Sequence, residues 1–293
     1  MSASPDWRIV PYGENSSFKR LRVRDEARIS AVVRHLQNDE CVSLLGPPLS
    51  EKSNMLRDIA AVLEDTGRFS PLYIDLWRTR SDDEAVFFTS LAGLVGAELA
   101  QRGLGPATPP VQETVPDPRA FQHYVTDVTN QGSRNVALLI DHLQALPHDL
   151  VHSLLLALRS AYMEREADAP RSLVAVVTGG MNLVGLSTGP TSPFNIAKPV
   201  VTAPLTVEQS RALAEATAQA YDCSISEHAL ARLVEWAGGD RYLVPRLAAL
   251  GAELVQAHRL RRVTSAVITR AADRMCLTTE DLPPMRAAIR MIE

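Results

Sequence analysis

Cysteine is scarce. The three in 293 residues, Cys41, Cys223 and Cys276, have no CxxC spacing and are odd in number. They are read as reduced thiols of a cytoplasmic protein, not as a disulfide framework or a metal site. Long apolar runs are missing too. No window reaches the ~18 apolar residues that argue for a membrane span, and the opening MSASPDWRIVPYG has no apolar signal core. There is no surplus of positive charge. The net charge is −4, so no global basic field advertises nucleic acid as a partner. The basic run His258-Arg259-Leu260-Arg261-Arg262 reads as a solvated helix end, where cations suit the dipole. Nucleic acid is set aside on that ground. No internal repeat is found.

What remains is an ordinary globular composition, 46% hydrophobic and 22% charged. A chain of this length buries one large core, or one core with a smaller satellite. Residues 1–20 are polar with scattered aromatics and read as a surface arm. An amphipathic helix is expected over 24–37, with Ile29, Val32, Val33 and Leu36 on one stripe. Strands are expected at 41–45, 72–76, 136–140, 173–177 and 199–202. Helices at 53–64, 81–102 (capped by Ser81), 118–130 and 149–166 alternate with them. Residues 105–118, rich in Pro and Thr, read as a loop. Alternating strands and helices mean an α/β domain with a five-stranded parallel sheet flanked by helices. After Leu205 only helical patterns follow, over 206–221, 226–237, 243–259, 265–274 and a tail from Pro284. The expected division is an arm at 1–20, an α/β domain at 21–204 and a helical domain at 205–293.

The first strand stops at Gly46. Pro47, Pro48, Leu49, Ser50, Glu51, Lys52, Ser53 and Asn54 lead into the next helix. The spacing fits G-x-x-x-x-G-K-[ST] at Gly46, Lys52 and Ser53, with Glu51 in place of the second glycine. Such a loop holds phosphates on backbone N–H groups and a helix N-terminus. Lys52 would pair with the β- and γ-phosphates, and Ser53 would ligate Mg²⁺. Glu51 puts a side chain and a negative charge where glycine allows close approach. At ~5 Å and an effective dielectric near 20, each like-charge contact costs on the order of 3 kcal/mol. Glu51 therefore lowers affinity by roughly a hundredfold, unless it turns outward or pairs with a cation, in which case binding survives. Pro47 and Pro48 remove two loop donors.

The third strand, VALLI at 136–140, ends in Asp141. An apolar strand with a terminal aspartate is the Walker B pattern, and Asp141 would hold Mg²⁺ with Ser53. His142 stands where a water-activating glutamate usually follows. It is either a base or the filler of a lost catalytic position. Thr178, at the end of the fourth strand, is either a γ-phosphate sensor or a strand-end residue. Asp75, at the end of the second, orients water or makes a turn.

Taken together, the chain resembles the AAA-like (AAA+-type) P-loop NTPase domain of bacterial STAND signalling proteins over about residues 20–290. Arg24-Asp25 and the helix after it are similar to the lead-in before the loop strand. Tyr73-Ile74-Asp75-Leu76 looks like the second strand. Ser192-Pro193-Phe194-Asn195-Ile196 resembles the segment before the last strand, and Leu205-Thr206-Val207-Glu208 the start of the lid. Trp236-Ala237-Gly238-Gly239 with Tyr242-Leu243 resembles "W-T-G-G-x-P-F-L". Met285 to Arg290 looks like the closing helix.

The resemblance implies a P-loop NTPase domain followed by an all-helical, winged-helix-like lid, gated by ATP or ADP with Mg²⁺ between them. Arg24, Gly238 and Gly239 would flank the base. Sensor or effector modules usually share the chain in this family, so the protein is either part of a longer one or works with a separate effector or sensor, alone or as a homo-oligomer. Three positions depart from the family: Glu51, His142, and Arg241 where proline is frequent. Three readings stay open: a degenerate switch or scaffold that is at most a slow ATPase, a working ATPase switch, and a nucleotide-free scaffold with the old cleft filled.

Overall fold

The computed structural model of the chain describes residues 6–12, 20–79, 81–103, 115–164, 172–181, 185 and 192–277. The expected closing helix and most of the Pro- and Thr-rich stretch lie outside them. The chain divides into two compact units, residues 28–46 with 52–202, and residues 1–27 with 47–51 and 203–293.

The described chain opens on an antiparallel ribbon, Trp7–Pro11 (β1) and Leu21–Asp25 (β2), with Val23 opposite Ile9. Residues 1–20 therefore contain a paired strand, where the sequence suggests only an arm. Glu26–Gln37 (α1) follows directly, because β2 runs through Arg24 and Asp25 and the helix starts two residues later than its apolar stripe implies.

The larger unit is built on five strands: Cys41–Leu45 (β3), Phe69–Asp75 (β4), Asn135–Asp141 (β5), Leu173–Gly179 (β6) and Ala197–Val201 (β7). They form one parallel sheet in the order β4-β5-β6-β3-β7. Lys52–Thr66 (α2), Glu84–Gln101 (α3), Pro118–Gln131 (α4) and His148–Met163 (α5) connect them.

Side chains alternate across a strand, so each central strand supplies two cores. Val136, Leu138 and Ile140 face α3, α4 and α5 with Phe87, Phe88, Phe121 and Leu154. Ala137 and Leu139 face the other way, with Leu36 of α1 and Leu56, Ile59 and Leu63 of α2. That double burial is why β5 and β6 read as unbroken apolar runs. The cap of α3 is Asp83, whose carboxylate accepts from Val86 N–H; Ser81 instead accepts from Asp83 N–H.

In the smaller unit the helices are Val207–Ala220 (α6), Glu227–Ala237 (α7), Leu243–Ala257 (α8) and Ser265–Leu277 (α9). A capping box opens α6: Thr206 Oγ accepts from Gln209 N–H, and the Gln209 side chain accepts from Thr206 N–H. Two-residue strands Ser224–Ile225 (β8) and Arg262–Val263 (β9) pair between the helices. Leu213, Leu230, Leu233, Val244, Leu250 and Ile268 form the core, and Val23 of β2 belongs to it. Gly238 ends α7 in the left-handed conformation, φ 54°, as glycine does at a C-cap. Gly239 follows at φ 77°, and a Cβ there would lie 2.4 Å from the Leu205 carbonyl oxygen. Leu205 N–H also donates to Gly239 O at 2.8 Å. The pair thus fixes a tight turn against the start of the helical segment.

Candidate functional site

The parallel sheet brings the chain ends of β3, β4, β5 and β6 to one edge, where ligands of open α/β sheets bind. The order places β6 between the loop strand β3 and the aspartate strand β5. Five of the residues singled out in the sequence meet there: Lys52, Ser53, Asp141, His142 and Thr178.

Asp141 is the centre of this cluster and is 1% exposed. Its Oδ1 accepts from the Thr178 hydroxyl and, at 2.9 Å, from the backbone N–H of His142. Its Oδ2 accepts from the Tyr73 hydroxyl at 2.8 Å. Burial pushes the Asp141 carboxyl up, but hydrogen bonds from Ser53, Thr178 and Tyr73, with the His142 ring nearby, more than offset it. The net pKa is lowered, and Asp141 is an anion at neutral pH. Ser53 and Asp141 are in hydrogen-bond contact, so one divalent cation could take oxygen ligands from both, as Mg²⁺ does in P-loop sites. The donor set fits the metal.

Tyr73 was missed by sequence reasoning. The signal was a polar ring two residues before Asp75 in an apolar strand, on the same face as Asp75. Its register partner is Leu139, two residues before Asp141. Arg57 donates to the Tyr73 oxygen at 3.2 Å and lies over its ring. Burial and the charge of Asp141 together raise the Tyr73 pKa, so the phenol stays a donor.

His142 takes the left-handed conformation at φ 66°, uncommon for a residue with a side chain. Its ring Nδ1 lies 2.9 Å from Asp75 Oδ1 and 3.7 Å from Asp141 Oδ2. Carboxylates only accept, so Nδ1 carries the proton and Nε2 is left as the basic nitrogen. Trp77, half exposed, lies at a tilt to the ring. Asp75 thus both orients an imidazole and caps a turn, accepting from Trp77 N–H at 3.1 Å.

The loop begins as a parallel-sheet continuation, with Gly46 N–H donating to Gly179 O at 3.3 Å. Lys52 Nζ donates to Gly46 O at 2.9 Å. Burial brings the Lys52 pKa down to about 8 against the pull of Asp141. Pro47 and Pro48 are exposed, Ser50 and Asn54 are buried, and Leu49 packs with the core of the smaller unit.

Glu51 occupies the glycine position of the motif and keeps a glycine-like backbone, φ 66°. For a residue with a Cβ this conformation costs about 1–2 kcal/mol. Its carboxylate belongs to the smaller unit. Oε2 accepts from Arg241 at 3.2 Å, and both side chains are about 5% exposed. Arg241 also donates to Ala203 O at 3.1 Å and Val23 O at 3.3 Å, with Asp25 at 3.9 Å. Asp240 positions it by accepting from Tyr242 and Leu243 N–H at the start of α8. Burial outweighs the opposing pull of Arg241, then Arg20 and Arg22, so the Glu51 carboxyl is held above the ordinary carboxylate value. The two motif departures at 51 and 241 therefore touch each other. Arg24, expected beside a base, pairs with Glu26 at 3.0 Å. Gly238 and Gly239 serve the turn described above.

Solved structures share this architecture. A Walker-type ATPase of Pyrococcus abyssi aligns with a TM-score of 0.61 at 17% identity, over 94% of this chain and 79% of that one. Cdc6p of Pyrobaculum aerophilum aligns with a TM-score of 0.56 at 17% identity, over 85% of this chain and 65% of that one. The Holliday junction branch migration motor RuvB of Thermotoga maritima gives 0.51 at 14% identity, over 88% and 70%. The chain has the fold of an AAA+ P-loop NTPase. At these identities the likeness concerns the fold. The chain spans 65% of the length of Cdc6p. No protein-family model and no curated protein matches the sequence.

Two stability predictions follow from these charges. Arg241→Met leaves Glu51 buried without its cation and is expected to cost about 3 kcal/mol. Glu51→Gln should cost about 1 kcal/mol or less, because Arg241 keeps two carbonyls and Asp25. The double variant should recover most of the loss in a denaturant double-mutant cycle, and strict additivity would contradict the pairing.

Lys52→Met tests the buried ammonium. Its folded pKa of about 8 lies below the ordinary 10.5. The lysine thus weighs against folding fully below pH 8 and progressively less up to pH 10.5. The shift corresponds to on the order of 3 kcal/mol, less about 1 for the hydrogen bond lost to Gly46. Lys52→Met should be about 2 kcal/mol more stable than the unsubstituted protein near neutrality, and this advantage should shrink above pH 8. A pH-independent difference in denaturant melts would contradict the assignment.

Proposed function

We propose that this chain is a STAND-type regulatory domain with a degenerate nucleotide site, working as a pseudo-NTPase switch or scaffold for a partner protein. The observation that carries the reading is the buried Glu51–Arg241 pair. It commits the residue at the motif's second glycine to a guanidinium instead of leaving backbone room for a phosphate. Lys52 on the Gly46 carbonyl and Asp141 with four hydrogen-bond donors are polar groups already engaged within the chain.

In this reading residues 21–204 are the NTPase-like part and 205–293 the lid. The cofactor set, if a nucleotide enters, is Lys52 with the loop N–H groups for phosphate, and Ser53 with Asp141 for Mg²⁺. ATP or ADP with Mg²⁺ then acts as a gate and is turned over slowly at most. The partner is an effector or sensor, on a separate chain or elsewhere in a longer one. The neighbours are described as an ATPase, as Cdc6p and as a branch migration motor. Motor or DNA-directed work is not carried over to a chain with no basic field.

A second reading, a working ATPase, is favoured by one observation. The Asp75–His142 pair has the geometry of a carboxylate-oriented base, 2.9 Å apart with Nε2 basic.

Calorimetry with ATP and ADP in Mg²⁺, on the natural chain beside Glu51→Gly, separates the two readings. The expected result is little or no binding by the natural chain at millimolar nucleotide. Binding should be tighter in Glu51→Gly, which frees the loop from the Arg241 pair and lets the backbone approach the phosphates, and should be lost again on adding Lys52→Ala. Lys52-dependent hydrolysis by the natural chain at ordinary ATPase rates would overturn the proposal in favour of the second reading.

A further inference from the structure

We propose that Tyr73 is a positioning residue for a divalent cation: its hydroxyl, oriented by Arg57, holds the Asp141 carboxylate in the rotation that presents Oδ2 to the metal. The inference rests on Ser53 and Asp141 being the cation ligands, and it assigns the residue that sets their geometry. All of these groups lie in the larger unit.

The backbone does not fix a carboxylate plane. The outer torsion of an aspartate is broad, so hydrogen bonds choose its setting. Asp141 ends β5, which lies between β4 and β6 in the sheet. From β6 the Thr178 hydroxyl donates to Oδ1, as does the backbone N–H of His142. From β4 the Tyr73 hydroxyl donates to Oδ2 at 2.8 Å. The carboxylate is thus held at both oxygens, by side chains of the two flanking strands.

The direction of the Tyr73 proton is determined as well. A guanidinium has donors only, and Arg57 donates to the Tyr73 oxygen at 3.2 Å. The phenol therefore spends its own proton on Asp141. Ser53 and Arg57 are one turn apart on α2, at i and i+4, and share a face of that helix. One helix thereby carries both the hydroxyl ligand and the anchor of the residue that orients the carboxylate ligand.

Counting acceptor sites assigns the metal-facing oxygen. Each carboxylate oxygen has about two. On Oδ1 both are taken, by Thr178 and the His142 N–H. On Oδ2 Tyr73 takes one. The other is left for Ser53, whose hydroxyl is in hydrogen-bond contact with Asp141, or for a cation in place of that proton. Partners of this kind, which touch the ligand and not the metal, are typically worth ten- to a hundredfold in metal affinity.

The test titrates the full chain with Mn²⁺ alone, an ion that carboxylate and water ligands suit, and reads the free ion by electron paramagnetic resonance. Asp141→Asn defines the binding that belongs to this site. Tyr73→Phe keeps the ring and loses only the hydroxyl; it should weaken that binding by about tenfold or more. Tyr73→Met covers the case in which Tyr73→Phe does not melt cooperatively. Thr129→Val, which removes a buried hydroxyl bonded only within α4, is the control for general destabilisation and should leave Mn²⁺ binding unchanged. Equal affinity in the Tyr73 variants and the natural chain overturns the positioning role alone. An equal loss in Thr129→Val overturns it too. No Asp141-dependent binding by the natural chain overturns the cation reading and the positioning role together. Because no nucleotide is present, each of these outcomes is separate from failure of the switch reading.

Discussion

The buried pair of Glu51 and Arg241 is the constraint on which the reading of this molecule turns. A carboxylate with about 5% exposure cannot stay charged unless a cation stands beside it. Arg241 supplies that cation and is itself held by the Val23 and Ala203 carbonyls, one at the ribbon and one at the start of the helical segment. A single guanidinium thereby ties β2, the loop residues and the α7–α8 turn into one unit. Buried ion pairs are weak evidence for stability, since desolvation offsets much of the attraction. Their stronger effect is specificity of arrangement, and here the arrangement concerns a loop that in its glycine form would face phosphate.

The second cluster, around Asp141, is electrostatically complementary. Four hydrogen-bond donors keep the aspartate ionised at 1% exposure, and a lysine of lowered pKa stands close enough to feel its charge. Ser53 and Asp141, in hydrogen-bond contact, offer oxygen ligands that would suit a divalent cation. Of the three departures read from the sequence, Glu51 and Arg241 pair with each other.

Much of the fold was legible because the physics was local. β3 was read to the residue, since five consecutive apolar or small side chains buried on both faces leave no ambiguity. The helix stripes of α1 and α2 were equally plain. The ribbon of β1 and β2 was not, because its strands are only half buried and polar residues alternate along them. Two-residue strands such as β8 and β9 are too short to carry any period. At the site, Lys52, Ser53, Asp141 and Thr178 were visible as motif positions. Glu51 and Arg241 were each visible as departures, 190 positions apart in the chain. Nothing in one sequence joins two such positions; only the fold does. Tyr73 was hidden for a related reason, since its role depends on the neighbouring strand's register.

The most direct test of the central claim is a crystal structure from crystals grown in millimolar ATP and Mg²⁺. Glu51 Oε2 within hydrogen-bond distance of Arg241, with no nucleotide at the loop, is the result expected. A triphosphate on Lys52 and Ser53, with the Glu51 carboxylate still on Arg241, would contradict the view that this pair closes the site.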